Sequence, residues 1–359
     1  MNVGSTLKQP ENNFFKLTPD VIIKTIEKEG FQLTGHCMVL NSYENRVYDL
    51  KLEKGSHIIT KFYRPGRWSK EEIQEEHNFL IELKEREISV CAPLCFEDGQ
   101  TIHCNQDIYY AVWPRTGGRA KDELADGDLQ ILGRLLARMH NQGETKTLVN
   151  RLTLTGKTYG LDSLSFLLEN NFIPEIYRER YKKVVNEIVE IYDTLCNNVP
   201  FHRIHGDCHL GNLLYDHNNW FFLDFDDFLT GPAVQDFWML VPARDQEGLR
   251  QRQVFLEAYQ QFRNFNIEWL KLIEPLRTLR YIRYAAWIAR RWDDPAFKAA
   301  FTHFGTDSYW EQETKDLESQ LEYFYQDNKV LPKKLEDQRP RKEEEELTNK
   351  DFFWDWEGD

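Results

Sequence analysis

Three residues in the segment RIHGDCHLGNLLYDHNNWFFLDFDD (203–227) have types and spacing suited to moving a phosphoryl group. Asn212 offers an amide oxygen, a hard ligand that adds no negative charge. Asp224 offers a carboxylate able to bridge one or two cations, and Mg²⁺ takes such oxygens at about 2.1 Å in octahedral geometry. Asp207 lies upstream of Asn212 on the same loop. Not needed as a ligand, it can accept a hydrogen bond from an acceptor hydroxyl and align it for attack. Its pKa needs little adjustment, because charge builds mainly on the phosphate oxygens during transfer. The chemistry implied is transfer of the γ-phosphate of ATP, carried with Mg²⁺, to an alcohol.

The order His205-Gly206-Asp207 then Asn212 fits H-x-D-x-x-x-x-N, the catalytic-loop spacing of kinases. Asp224 ends an apolar run from Trp220 to Leu223, and a hairpin would return it beside Asn212. Upstream, Lys61 sits in HIITKFYRP, flanked by Ile58, Ile59 and Phe62, where it could point inward at phosphates. A lysine so placed needs an acidic partner. Glu76 is the choice, with Glu75 as the alternative. The phosphate loop is read as Leu40 to Arg46, with Ser42 and backbone N–H groups making the contacts, because G-x-G-x-x-G is absent. Adenine is expected at a hinge, Trp113 to Arg115, through backbone groups. In Asp224-Phe225-Asp226 the glycine expected third is missing.

These side chains need a frame. Pro19 to Glu29 reads as a helix. Arg46 to Leu52 and His57 to Tyr63 read as strands around the turn Glu53-Lys54-Gly55-Ser56. Glu71 to Leu83 carries apolar residues at helical spacing, and two strands are expected at Gln100 to His103 and Ile108 to Trp113. The stretch Pro114 to Arg119 breaks the pattern and marks a lobe boundary. Beyond it the chain turns helical: Asp128 to Asn141 with one apolar stripe, Tyr181 to Cys196, Phe255 to Phe262 and Trp269 to Arg291. The expected division is 1–116, 117–335 and an acidic, aromatic tail at 336–359, read as disordered.

Composition sets bounds. The chain has 359 residues, 41% hydrophobic and 29% charged, which fits a globular protein of two lobes. No apolar run is long enough for a membrane span, and residues 1–10 lack a secretory core, so a cytoplasmic protein is expected. A net charge of −14 speaks against nucleic acid as a partner. Cys37, Cys91, Cys95, Cys104, Cys196 and Cys208 form no CxxC pair, which leaves reduced thiols as the expectation.

Other residues carry two readings each. His205, Asp207 and His209 could form an H-x-D-x-H metal site, but no further ligand cluster supports it; His205 reads better as a structural residue bonding the loop backbone. Cys208 reads as packing or as an oxidisable thiol beside the base, Asp226 and Asp227 as loop caps or extra metal or substrate ligands, and Asp236 as a tether for the catalytic-loop backbone rather than a substrate contact. Arg280, Arg283, Tyr284, Trp287 and Arg290 recur at helical spacing, either as an aromatic stripe with a basic edge or as a wall of the acceptor cleft. Phe352, Phe353, Trp354 and Trp356 in the tail read as a docking motif for a partner or as ballast.

Together these residues resemble the aminoglycoside phosphotransferase superfamily, marked by HGDCHLGN (205–212). Within it they resemble the stress response kinase A family, through NSYENRVY (41–48), KFYRPGRW (61–68), EEHNFL (75–80), RLLARMH (134–140), FLDFDD (222–227) and GPAVQDFWML (231–240). The resemblance implies an α+β, bilobal protein-kinase-like fold and serine/threonine protein kinase activity with a cytoplasmic role in stress survival; a phosphoprotein is expected, and a monomer is favoured while the oligomeric state stays open. It also implies Asp207 as base, Asn212 and Asp224 on Mg²⁺, and Ser42 on ATP. Two other classes stay open: a kinase for a choline-, homoserine- or aminoglycoside-like alcohol, and a non-catalytic nucleotide-binding regulator.

Overall fold

Alternating burial along neighbouring strands decides which side of the first sheet is free for chemistry. The computed structural model describes residues 14–40, 42–216 and 219–327. It opens with α1 (Pro19–Glu27), whose first turn is capped by the Thr18 hydroxyl. Five strands then form one antiparallel sheet: β1 (Leu33–Leu40), β2 (Arg46–Leu52), β3 (His57–Phe62), β4 (His103–Asn105) and β5 (Ile108–Pro114), in spatial order β1-β2-β3-β5-β4. Leu50, Ile58, Phe62, Tyr110 and Val112 face a core shared with Ile22 and Ile26 of α1. The period of two leaves Val47 and its partner Lys61 on the opposite side. Between β3 and β4 runs α2 (Lys70–Glu85). Ser69 and Glu72 cap it reciprocally, at 3.2 and 2.7 Å, so the helix starts at Lys70 rather than Glu71.

Contacts divide the chain into two compact units. One takes the described residues up to Lys121, together with Leu148–Arg151 and Asn212–Asp226. The other takes Asp122–Thr147, Leu152–Gly211 and the described residues from Asp227 onward. A single cut after residue 116 does not describe this division, and the tail at 336–359 lies outside the described residues. Two short antiparallel pairs explain the difference: β6 (Phe201–Ile204) with β9 (Leu229–Pro232), and β7 (Leu213–Asp216) with β8 (Asn219–Phe222). The β7–β8 hairpin is bonded into the first unit. Phe222 N–H donates to the Ser89 carbonyl at 3.0 Å, and Tyr215 and Arg119 exchange backbone bonds at 3.0 and 2.9 Å.

The second unit is built from α3 (Asp126–Glu144), α4 (Asp162–Glu169), α5 (Glu175–Leu195), α6 (Val234–Leu240), α7 (Gln246–Tyr259), α8 (Ile273–Arg290), α9 (Pro295–Ala300) and α10 (Asp307–Asp327). The run expected from Trp269 is not one helix. A 3₁₀ segment covers Ile267–Leu272, and α8 begins at Ile273, where Pro275 falls in the first turn and needs no donor. Leu129, Leu132, Leu136 and Met139 of α3 are fully buried. No helix among the described residues is long and apolar enough to cross a membrane.

The end of α3 docks on β6 at Gly143. Arg203 donates to the carbonyls of Gly143 (3.1 Å) and Gln142 (2.8 Å), and a Cβ on Gly143 would sit 2.2 Å from the Arg203 carbonyl oxygen. Helix propensity alone would have Gly143→Ala stabilise by about 1 kcal/mol. The close backbone approach reverses that sign, because the two chains must separate. We expect Gly143→Ala to destabilise by about 1–3 kcal/mol, read as a lower midpoint in denaturant unfolding; an unchanged or raised midpoint contradicts this packing.

Candidate active site

In the first unit, acids and bases from distant stretches meet around Lys61. Its Nζ lies 3.2 Å from Asp224 and 3.1 Å from Asp226. Asp226 is buried and also takes Arg67 (2.6 Å) and the Asn45 side-chain amide (3.1 Å). Burial would raise the Asp226 carboxyl, but Arg67 and Lys61 outweigh it and hold it well below the usual carboxylate range. For Lys61, burial works against the charge, and Asp226, Asp224 and Glu76 more than restore it, so the amine stays protonated. The turn after Asp224 is a 3₁₀ segment, Phe225–Asp227, and its middle residue points its carboxylate into this cluster. That use of Asp226 is the physical reason why a glycine does not stand there.

Glu76 is one of the acids whose charge acts on Lys61, after Asp226 and Asp224, but its ion pair is with another residue. Among the described residues Glu76 pairs with Arg151, at 2.6 Å, and not with Lys61. Arg151 is buried with its guanidinium 4.0 Å over the Trp68 ring, and it donates to the carbonyls of Glu72 (2.8 Å) and Asp226 (2.7 Å). Burial pushes the Glu76 carboxyl up despite Lys61 and Arg151. Glu75, the alternative, faces elsewhere: its carboxylate accepts the backbone N–H groups of Val149 (2.7 Å), Asn150 (3.2 Å) and Arg151 (2.9 Å).

Ser42 is exposed and accepts the Asn45 N–H at 3.2 Å, closing the turn before β2. Asn41 lies outside the described residues. Arg64 donates to the carbonyls of Tyr43 (3.2 Å) and Glu44 (3.0 Å), so this loop is tied to the end of β3. At the hinge, Trp113 packs edge-on to His77 with its ring 5.8 Å from the Lys61 ammonium. The Arg115 N–H is already given to the His57 carbonyl at 3.3 Å, and its side chain reaches Asp49 at 3.2 Å. The hinge expectation therefore narrows: the Arg115 amide hydrogen is spent within the sheet.

Asn212 and Asp224 stand at the open ends of β7 and β8, where Leu223 N–H donates to the Asn212 carbonyl at 2.9 Å. Asp224 has a left-handed backbone, φ +50°, and a side chain about half exposed (51%). An amide oxygen and a half-exposed carboxylate on adjoining strand ends are a donor set that fits a hard divalent cation. Among the described residues the group of His, Cys, Asp and Glu close enough to hold a metal ion is His36, Asp49 and His57, not His205, Asp207 and His209.

In the second unit the loop bearing Asp207 is held from below. Asp236, fully buried, accepts the N–H groups of His205 and Gly206, both at 2.8 Å, as expected for a tether. His140 holds the same carboxylate at 3.0 Å and Tyr259 at 2.8 Å. Gly206 sits at φ +83°, and a Cβ there would meet the Asp227 carbonyl at 2.2 Å, which reserves the position for glycine. His205 is buried and its Nδ1 accepts the Asp207 N–H at 3.3 Å, which makes it a loop-bonding residue; Cys208 is buried packing. Asp207 itself meets Arg280 of α8 at 2.5 Å and His209 at 3.5 Å. Burial alone would raise its carboxyl; Arg280 and His209 bring it far below the usual range.

Arg67, Arg151 and Asn45 are the site residues to which sequence reasoning gave no role of their own; Arg280 was read as part of the helical stripe, not as the partner of Asp207. Arg67 and Asn45 lie inside KFYRPGRW and NSYENRVY, so the signal was present as motif. Arg151 lies in no periodic element, and nothing local marks it.

An antiparallel sheet carrying a buried lysine, a helix bearing a buried glutamate, and a catalytic loop above a helical unit define a kinase-like phosphotransferase fold. Residues 36–273 match the model of the phosphotransferase enzyme family. The chain is 36% identical over 302 residues to stress response kinase A of Escherichia coli (strain K12), covering 84% of this chain and 92% of that protein. It is 35% identical over 315 residues to serine/threonine protein kinase RdoA of Salmonella typhimurium (strain LT2), covering 87% and 95%. Among solved structures it is similar to an amicoumacin kinase in complex with AMP-PNP and Ca²⁺, with TM-score 0.65, 19% identity, and 84% and 96% of the two chains covered. The chain belongs to the phosphotransferase enzyme family and, within it, to the stress response kinase A family; it is an ATP-dependent kinase.

The depressed Asp207 carboxyl gives a signed prediction. A carboxyl lowered in the folded state contributes stability that is full above its unfolded value, about 3.9, and is lost as pH falls through the folded value. In Arg280→Gln burial is left to act with less opposition. The Asp207 titration, followed by carboxyl NMR, is expected to move to higher pH, with acid unfolding beginning at higher pH as well. An unmoved titration would mean that Arg280 does not set the charge of Asp207.

Proposed function

We propose that this protein is a serine/threonine protein kinase of the stress response, working in the cytoplasm with Mg²⁺ and ATP. The observation that carries the reading is identity of 35–36% along most of the chain to bacterial proteins named stress response kinase A and serine/threonine protein kinase RdoA. Asn212 and Asp224 would hold Mg²⁺, which when bound neutralises charge on the phosphates. Lys61 contacts the phosphates, kept protonated by its acidic neighbours. Ser42 and its turn cover them, and adenine lies against the hinge at Trp113 and Arg115. Asp207, ionised, accepts a hydrogen bond from the seryl or threonyl hydroxyl, aims its oxygen and takes the proton as the new P–O bond forms and the bond from the γ-phosphorus to the bridging oxygen breaks, releasing ADP. Burial and the Asp236 tether fix the direction of that carboxylate, so little reorganisation precedes transfer.

A second reading is a small-molecule kinase, because the solved structure named above is called an amicoumacin kinase. The two share every catalytic residue and differ in the acceptor. Lys61, Asp207, Asn212 and Asp224 all present argue against a non-catalytic regulator. Labelled ATP separates the readings: label entering a generic protein or the enzyme itself supports the protein kinase, and label entering only small alcohols overturns it. Asp207→Ala should lower transfer by about 10²–10⁴-fold while calorimetry shows ATP binding nearly unchanged. Asp224→Ala should weaken Mg²⁺-dependent nucleotide binding as well. Near-native turnover in Asp207→Ala removes the base assignment.

A further inference from the structure

One face of α8 is only partly covered: Trp287 packs on Phe297 and Phe301, and Tyr284 on Phe301. Most of the helix is buried, but Arg280, Arg283, Tyr284, Trp287 and Arg290 form a stripe that is not. The stripe starts at the catalytic loop, where Arg280 pairs with Asp207. Further along, Arg283 lies with its guanidinium carbon 4.3 Å over the Tyr159 ring, and Arg290 lies 4.0 Å over the Phe166 ring. Tyr284 and Trp287 stack between them at 5.4 Å. Aromatic faces hold both guanidinium groups in place.

What these two arginines lack is a counter-charge. Among the described residues neither is within ion-pair distance of a carboxylate. Asp162 acts on Arg290, but its oxygens are occupied by Lys157, at 2.7 and 2.9 Å. Arg291 next in the chain is turned to Trp287, whose carbonyl it donates to and whose ring it overlies. Asp227 acts on Arg280, which already has Asp207. Arg283 and Arg290 also repel each other: after burial, Arg283 is the next cause that lowers the Arg290 pKa. Two fixed, mutually repelling cations without an internal partner are a site for an anion from outside. This is the local reverse of the chain, whose net charge is −14.

We propose that Arg283 and Arg290 select the acceptor by binding acidic side chains of a substrate peptide laid along α8, with its phosphoacceptor hydroxyl at Asp207. Spacing sets the register. Arg283 stands about 4.5 Å along the helix axis from Arg280, and Arg290 about 15 Å, at 1.5 Å per residue. An extended peptide advances about 3.3 Å per residue. An acid one or two positions from the acceptor therefore meets Arg283, and one four or five positions away meets Arg290. This rests on the protein-kinase reading and adds to it the class of substrate.

The test uses the full chain with ATP, Mg²⁺ and three sets of serine peptides: acidic at those offsets, neutral and basic. The acidic set is expected to have the highest kcat/KM. Arg283→Glu and Arg290→Glu should each lower that value by about fivefold, the scale of a partly exposed charge pair, and the double variant should favour the basic set. Arg283→Gln and Arg290→Gln should remove the preference without reversing it. Unchanged kcat/KM on the neutral peptides, together with an unchanged melting temperature, shows that the variants are folded. If the peptides are phosphorylated without regard to charge, or the charge-reversal variants keep the acidic preference, the α8 site is wrong and the protein-kinase reading stands. If no peptide or protein is phosphorylated while a small alcohol is, both fall.

Discussion

The first unit depends on keeping a buried carboxylate ionised. Asp226 is removed from water, which pushes its carboxyl up, yet Arg67 and Lys61, with Asn45 bonded to the same carboxylate, converge on it and bring it down. Each of these partners arrives from a different place: the turn before β2, the strand β3, and the segment after it. Arg151 then joins the Asp226 backbone to Glu76 of α2. Breaking one member of such a buried set costs about 3–5 kcal/mol, because a charge is stranded. The same contacts that hold Lys61 at its post thus hold the loop, the helix and the hairpin of this unit to one another.

The second unit solves a parallel problem with a neutral histidine. The catalytic-loop backbone needs two acceptors at His205 and Gly206, and Asp236 supplies both. A buried Asp236 needs its own donors, and His140, itself held by Tyr259, provides one. Burial lowers the His140 pKa against the pull of Asp236, so the ring bonds without adding a net charge. Networks of this kind rigidify only when every member is satisfied. The direction in which Asp207 points is therefore set from the interior, and Arg280 acts on its charge from α8.

Much of this was legible in the residues. Strand β2 lies at Arg46–Leu52, where alternation placed it, because Tyr48, Leu50 and Leu52 face the core, while on the other face Asp49 is buried and Val47 and Lys51 are not. The juxtaposition of Asn212 and Asp224 was visible as types at fixed spacing, and Asp236 was readable as a tether. What could not be read was pairing across long separations. The expected Lys61–Glu76 pair assumed two partners, whereas the structure inserts Arg151, whose position in an irregular segment carries no pattern. Assigning the β7–β8 hairpin to the helical part followed from its place in the sequence; its backbone bonds to Ser89 and Arg119 put it with the sheet. The start of α8 was misjudged because a 3₁₀ segment and an α-helix share nearly the same apolar spacing over one turn.

The division of the first unit into separated stretches has a consequence for how the chain is made. When Lys121 has been added, the sheet has all its strands, but Lys61 still lacks Asp224 and Asp226, Arg67 has Glu44 but not Asp226, and Glu76 lacks Arg151. Arg151 and then Asp226 must still be translated, which at about 5–20 residues per second takes on the order of 5–20 s. Until then the charged cluster around Lys61 is unfinished on the nascent sheet. Competence to handle ATP is thus postponed, by chain order alone, until the helical part is well under way.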